Sequence, residues 1–209
     1  MAKLESTLKN MLISLGGIAL VCALLLAVVN ALTQKKIARV EAAKTAQAIA
    51  RVVPAFEGEP VDTLVMLGDK QFTVHKAMAD GNTVGYAIET ATSGFGGPIN
   101  MMVGFTADGE ICSTAVISHS ETPGLGAKIT DNGSHFRTQF AGKDPADYRL
   151  FVTKDGGDVD AITASTITSR AFTAAVANAY NVYLAIKGSS ADAVSAASMP
   201  QDGEGESYE

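Results

Sequence analysis

The sequence predicts an α+β protein: a single N-terminal transmembrane helix, then a mainly antiparallel-sheet domain with packed helices. Three observations predict it. Residues 11–32 carry no charged side chain. From about Val61 the pattern of apolar residues changes to a period of two, punctuated by hairpin turn signals. Residues 168–186 then return to a helical period.

The uncharged run, with only Ser14 and Asn30 clearly polar, would form a helix about 33 Å long, enough to cross a hydrocarbon core. A cleaved signal peptide is the competing reading, and Val29-Asn30-Ala31 faintly resembles a cleavage site. Signal peptides have apolar cores of only about 7–15 residues, which favours a retained anchor. A short segment, 1–10, precedes the span. Residues 33–60 are expected to form a juxtamembrane helix and linker, with an approximate stripe of Ile37, Val40, Ala43, Ala48, Val52 and Val53 ended by Pro54. Lys3 and Lys9 precede the span, and Lys35, Lys36, Arg39 and Lys44 follow it. Counted alone, these charges place the following domain in the cytoplasm.

The main domain is expected over 61–188. Strands at 71–78 and 83–90 flank Ala79-Asp80-Gly81-Asn82, a hairpin signal. The loop Ser93-Gly94-Phe95-Gly96-Gly97-Pro98 makes either a turn or a close backbone approach to a ligand. A second hairpin, 99–106 and 110–118, turns at Asp108-Gly109 and ends at His119. Residues 128–146 read as partly helical, with Phe136 and Phe140 as core anchors, and 148–153 as a further strand before the turn Lys154-Asp155-Gly156-Gly157. In the last helix Phe172, Val176, Ala179, Tyr183 and Ile186 share one face, and Gly188 is placed to cap it. The tail, 189–209, is acidic and rich in Ser, Ala and Gly, and is expected to be disordered.

Composition excludes several functions. The net charge of −6 argues against a nucleic-acid surface. Neither a GxxxxGK[ST] nor a GxGxxG motif occurs. Cys112 is the only thiol outside the apolar run, so that part can form no internal disulfide. His75, His119 and His135 are scattered, and no metal set or catalytic triad stands out.

One cluster remains. Thr163, Ser165, Thr166, Thr168 and Ser169 crowd the start of the last helix. Hydroxyls there either cap the helix or, with its free N–H groups and dipole, hold a phosphate. Asp160-Ala161-Ile162-Thr163-Ala164-Ser165-Thr166 resembles the Asp-x-x-(Ser/Thr)-(Gly/Ala)-(Ala/Ser)-Thr signature of FMN-binding domains whose flavin is attached by a phosphoester to the last threonine. The segment His119-Ser120-Glu121-Thr122-Pro123-Gly124-Leu125-Gly126 matches the His-x-Glu-Thr-Pro-Gly-Leu-Gly segment of the same domains. Over residues 1–188 the chain resembles the G subunit of the Rnf electron-transport complex. It is also similar to the C subunit of the sodium-translocating NADH:quinone reductase, a usually longer chain.

The resemblance implies FMN bound covalently through Thr166, with Thr163 and Ser165 beside it. It places Thr122 and Leu125 next to the flavin ring and includes Gly126, Glu121 and Gly97 in the site. Glu121 has a structural alternative as an acceptor of loop N–H bonds, and His119 is either a tuner of flavin protonation or a structural histidine. Ala164 and Ser165 stand where Gly and Ala are frequent in the signature. The implied role is an electron carrier between ferredoxin and NAD in an ion-translocating complex of membrane and soluble subunits, matured by a flavin transferase. The flavin domain is implied to lie on the periplasmic side of the inner membrane, against the charge count. A carrier in a quinone-reducing complex and a membrane-anchored binding module without redox activity are the alternatives.

Overall fold

A computed structural model describes residues 7–188 of the chain; the tail expected to be disordered lies outside the described residues. The chain divides into two compact units, one ending at Thr45 and the other starting at Ala46.

The first unit is helical. Helix α1, Leu8–Val52, is 45 residues long and is the one described helix long and apolar enough to cross a membrane. Leu12, Ile13, Leu15, Leu24 and Leu25 are all exposed on it. Apolar residues spread around the whole circumference in this way belong in lipid rather than against a protein core.

The second unit is built on a five-stranded antiparallel meander: β1 (Val61–Leu67), β2 (Lys70–Ala79), β3 (Asn82–Ser93), β4 (Pro98–Thr106) and β5 (Ile111–His119), hydrogen-bonded in sequence order. Asp80 and Gly81 both have positive φ, 52° and 76°. That conformation gives the two-residue β2–β3 turn a twist matching its strands.

Alternation sends the two faces of the sheet to different partners. Phe72, Val74, Ile88, Met101, Val103 and Phe105 form one core with Phe172, Val176, Ala179 and Tyr183 of α2, the helix Thr166–Lys187. Numbered in this way, α2 is the second long helix; a single helical turn at His135–Thr138 precedes it. Tyr183 stacks on Phe105 with ring centroids 5.4 Å apart. Ala77, Ala87, Met102 and Ala115 face the other way and bury Ala48, Ile49, Val52 and Val53 from the end of α1. These small side chains let the helix come close: a Cβ on Gly104 would fall on the Val52 carbonyl. Gly188 caps α2 in the left-handed conformation, φ 72°.

Two expected elements differ. Residues 128–146 hold only a 3-10 turn, Gly126–Thr130, and the turn His135–Thr138. Gly133 interrupts them, its N–H bonded to the Asp131 carboxylate at 3.1 Å, although Phe136 and Phe140 are buried as expected. Residues 148–153 do not extend the sheet. Arg149 donates its backbone N–H and its guanidinium to Asp158, and Gly157 packs against the Phe151 backbone. The segment therefore curls on itself, with one isolated parallel bridge from Val152 to Val159. Strand β1, where the sequence showed only a change of period, is a full edge strand paired along its whole length to β2.

Candidate functional site

The signature segment is held by side chains on either side of it. Gln139 pairs its amide with both backbone groups of Asp160, donating to the carbonyl at 3.0 Å and accepting from the N–H at 2.8 Å. The Ser169 hydroxyl accepts from the Ile162 N–H and donates to the Ser165 carbonyl, both at 2.9 Å. The chain between these ties turns through Ala164, whose φ is 61°. That is the left-handed region, costly for any residue with a Cβ, and it explains why glycine is frequent there in the signature. Arg170 closes the far side with a two-pronged pair to Asp155, both contacts 2.7 Å. The Arg170 guanidinium holds the Asp155 carboxyl below its ordinary pKa.

Helix α2 starts at Thr166, which is half-buried, with Ser165 as its N-cap residue. The Ser165 side chain makes no capping hydrogen bond. Its Oγ is buried without a partner, an unusual state for a hydroxyl at a helix end rich in donors. A simple cap would have satisfied itself. A hydroxyl beside free helical N–H groups suits a phosphate, so the residues present fit the phosphate end of FMN. Thr163 is exposed at the same turn.

The second motif meets this helix through one carboxylate. Glu121 is 5% exposed. One oxygen accepts from the Gly96 N–H at 3.2 Å and the other from the Thr168 hydroxyl at 2.7 Å. The Glu121 N–H in turn donates to His119 Nδ1 at 3.1 Å, so His119 serves as a local acceptor that fixes the start of the loop. Gly126 sits where only a hydrogen fits: a Cβ there would run into the Glu121 carboxylate and come within 2.8 Å of Thr168 Oγ1. Cβ atoms on Gly94 and Gly96 would likewise strike Glu121 and the Ser120 backbone, and one on Gly97 would come within 3.0 Å of the Ser120 side chain. The glycine-rich loop thus packs on the second motif.

Three distant segments therefore converge: the β3–β4 connection, the loop after β5 and the first turn of α2. Thr122 and Leu125 adjoin Glu121 and Gly126 and point outward, with Leu125 44% exposed. Phe95 is 69% and Ile167 48% exposed. Each of these apolar side chains lies next in sequence to a residue touching the Glu121 cluster. An apolar rim beside a buried polar cluster suits a flat ring with a phosphate tail. Sequence reasoning missed Gln139 and the Glu121–Thr168 bond. Gln139 and Thr168 lie outside both motifs, and each contact joins residues more than twenty positions apart.

Comparison with known proteins bears on the same segments. The family described as FMN-binding domain matches residues 94–181, and that described as RnfG N-terminal region matches residues 1–52. The G subunit of the ion-translocating oxidoreductase complex of Shewanella piezotolerans is 36% identical over 82% of this chain and 87% of its own. The Haemophilus influenzae Rd protein of that name is 37% identical over 76% and 82%, and the Pseudomonas aeruginosa one 33% over 86% and 89%. Among solved structures, the C subunit of the Na(+)-translocating NADH-quinone reductase of Parabacteroides distasonis superposes with a TM-score of 0.53 at 21% identity, over 73% of this chain and 94% of its own. At that identity the likeness speaks for the fold.

Proposed function

The chain belongs to the family of G subunits of ion-translocating oxidoreductase complexes, and from that premise we propose that it is the flavoprotein electron carrier of an Rnf-type ferredoxin:NAD oxidoreductase, with FMN esterified to Thr166. The observation that carries the site is the buried, unpartnered Ser165 hydroxyl at the N-terminus of the helix that Thr166 begins. In that attachment Thr166 Oγ would form one P–O bond to the flavin phosphate as the phosphoanhydride P–O bond of an activated flavin donor breaks, a phosphate-ending group leaving and the threonine proton passing to solvent. A flavin transferase carries out that step. When bound, FMN supplies one- or two-electron transfer. The chain's part is to hold it: Ser165 and the α2 N–H groups on the phosphate, with Thr163 at the turn, and Thr122, Leu125 and Gly126 along the ring. Gly97 shapes the facing loop.

The apolar part of α1 supports membrane anchoring. We place the flavin domain on the periplasmic side, since a large domain behind a single span translocates largely regardless of flanking charge. A tether then keeps a cofactor that could not readily be replaced there. The relatives' shared name favours this complex over the quinone-reducing one, whose C subunit shares the fold at lower identity.

Intact mass of the protein purified from its own host tests the reading. An FMN-sized increment mapping to the peptide with Thr166, retained in denaturant and lost in Thr166→Ala, is expected. A native protein without added mass would leave a membrane-anchored binding module instead.

A further inference from the structure

Burying a carboxylate costs free energy unless it gains bonds in return. Glu121 has the Gly96 N–H and the Thr168 hydroxyl as its donors. Two glycines, 94 and 126, leave room for it by lacking side chains. The arrangement is more elaborate than a loop turn needs. Its geometry is also specific: the carboxylate oxygen and the Thr168 hydroxyl, 47 residues apart in sequence, meet at 2.7 Å. One partner immediately precedes Thr122, and the other lies two residues after Thr166. A bond between them sets where the ring-side loop stands relative to the helix start.

We propose that the Glu121–Thr168 hydrogen bond is a positioning clamp, holding the Thr122–Gly126 loop at a fixed distance from the helix turn that carries Thr166. This rests on the reading that FMN is attached at that turn. Both residues are buried, Glu121 5% and Thr168 1% exposed, and act through what they hold. A tether at the phosphate leaves the ring free to swing about several single bonds. The clamp restricts it by keeping the loop in place, and ring immobility is what a fixed electron-transfer distance requires.

The test compares Thr168→Val, which removes the donor at constant shape, with Thr168→Ser, which keeps it. Thr173→Val serves as control: it removes a buried α2 hydroxyl bonded to the Ser169 carbonyl, away from the loop. All are made in the full chain in its own host. Intact mass shows that each carries flavin, and time-resolved anisotropy of flavin fluorescence reads ring motion. Thr168→Val is expected to shorten the ring's correlation time about twofold or more and to shift the midpoint potential, with Thr168→Ser close to the native protein. Thr173→Val should lower thermal stability without moving the ring signal. If flavin-bearing Thr168→Val matches native ring motion and potential, the clamp is overturned while the attachment reading stands. If the native protein itself carries no flavin, it is the attachment reading that falls. Should Thr168→Val fail to fold, Glu121→Gln, which weakens the same bond, is read by the same signals and judged by the same outcomes.

Discussion

Ala164 holds a conformation that suits glycine, and the strain is relieved by supplying one. Ala164→Gly removes the Cβ from a residue at φ 61°. The gain exceeds the extra chain entropy glycine brings to the unfolded state, so denaturant stability should rise by about 0.5–1 kcal/mol. A fall in the urea midpoint would show that the turn is unstrained. His75 makes a prediction of a different kind. It is buried between two carboxylates, Nδ1 2.6 Å from Asp62 and Nε2 3.3 Å from Glu89. Burial alone would lower its pKa, but the hydrogen bonds to Glu89 and Asp62, together with their charges, outweigh it and raise the value above 6.5. The folded protein then binds more protons than the unfolded chain in that window. The stability His75 contributes is complete below about pH 6.5 and is lost as pH rises through the folded-state value. Urea unfolding followed from pH 6 to 9 should show that decline, and His75→Asn should flatten it.

At the scale of elements, the segment 160–165 has no strand or helix of its own and depends on side chains from elsewhere. Gln139→Ala removes both bonds to the Asp160 backbone. Asp160 is exposed, so water replaces those bonds and the global cost is only about 0.5–1.5 kcal/mol. The larger effect is local: amide hydrogens at 160–165 should exchange faster, while those in β3 and β4 do not change. Uniform acceleration everywhere would contradict this. The same dependence explains what could be read from the chain beforehand. The hairpins around Asp80-Gly81 and Asp108-Gly109 and the buried stripe of α2 follow from turn chemistry and periodicity, which act over a few residues. The curl at 148–157 is set by Arg149 reaching Asp158, and apolar patterning alone makes that segment look like a strand. Both motifs at the site were visible, but the bond joining them was not, because hydroxyls and carboxylates carry no register.

For the whole molecule, the last turn of α1 is where reading from sequence stopped short. Val52 and Val53 stood in the apolar stripe, and nothing in the pattern said that a sheet would cover them. Val52 is fully buried, and its carbonyl lies where a Cβ of Gly104 would go. Gly104→Ala should therefore destabilise the compact unit by about 2 kcal/mol or more, since backbone rather than a flexible side-chain end must move; thermal melting of the unit measures it.

The burial of Val52 also dictates where a protein chemist can cut. A water-soluble fragment begun at Val61, the first residue of the sheet, discards Ala48, Ile49 and Val52 and leaves Ala77, Ala87, Met102 and Ala115 bare to solvent. Such a fragment should clump at modest concentration. One begun at Ala46 carries its own lid for that surface and should remain dispersed, as light scattering of the two side by side would reveal.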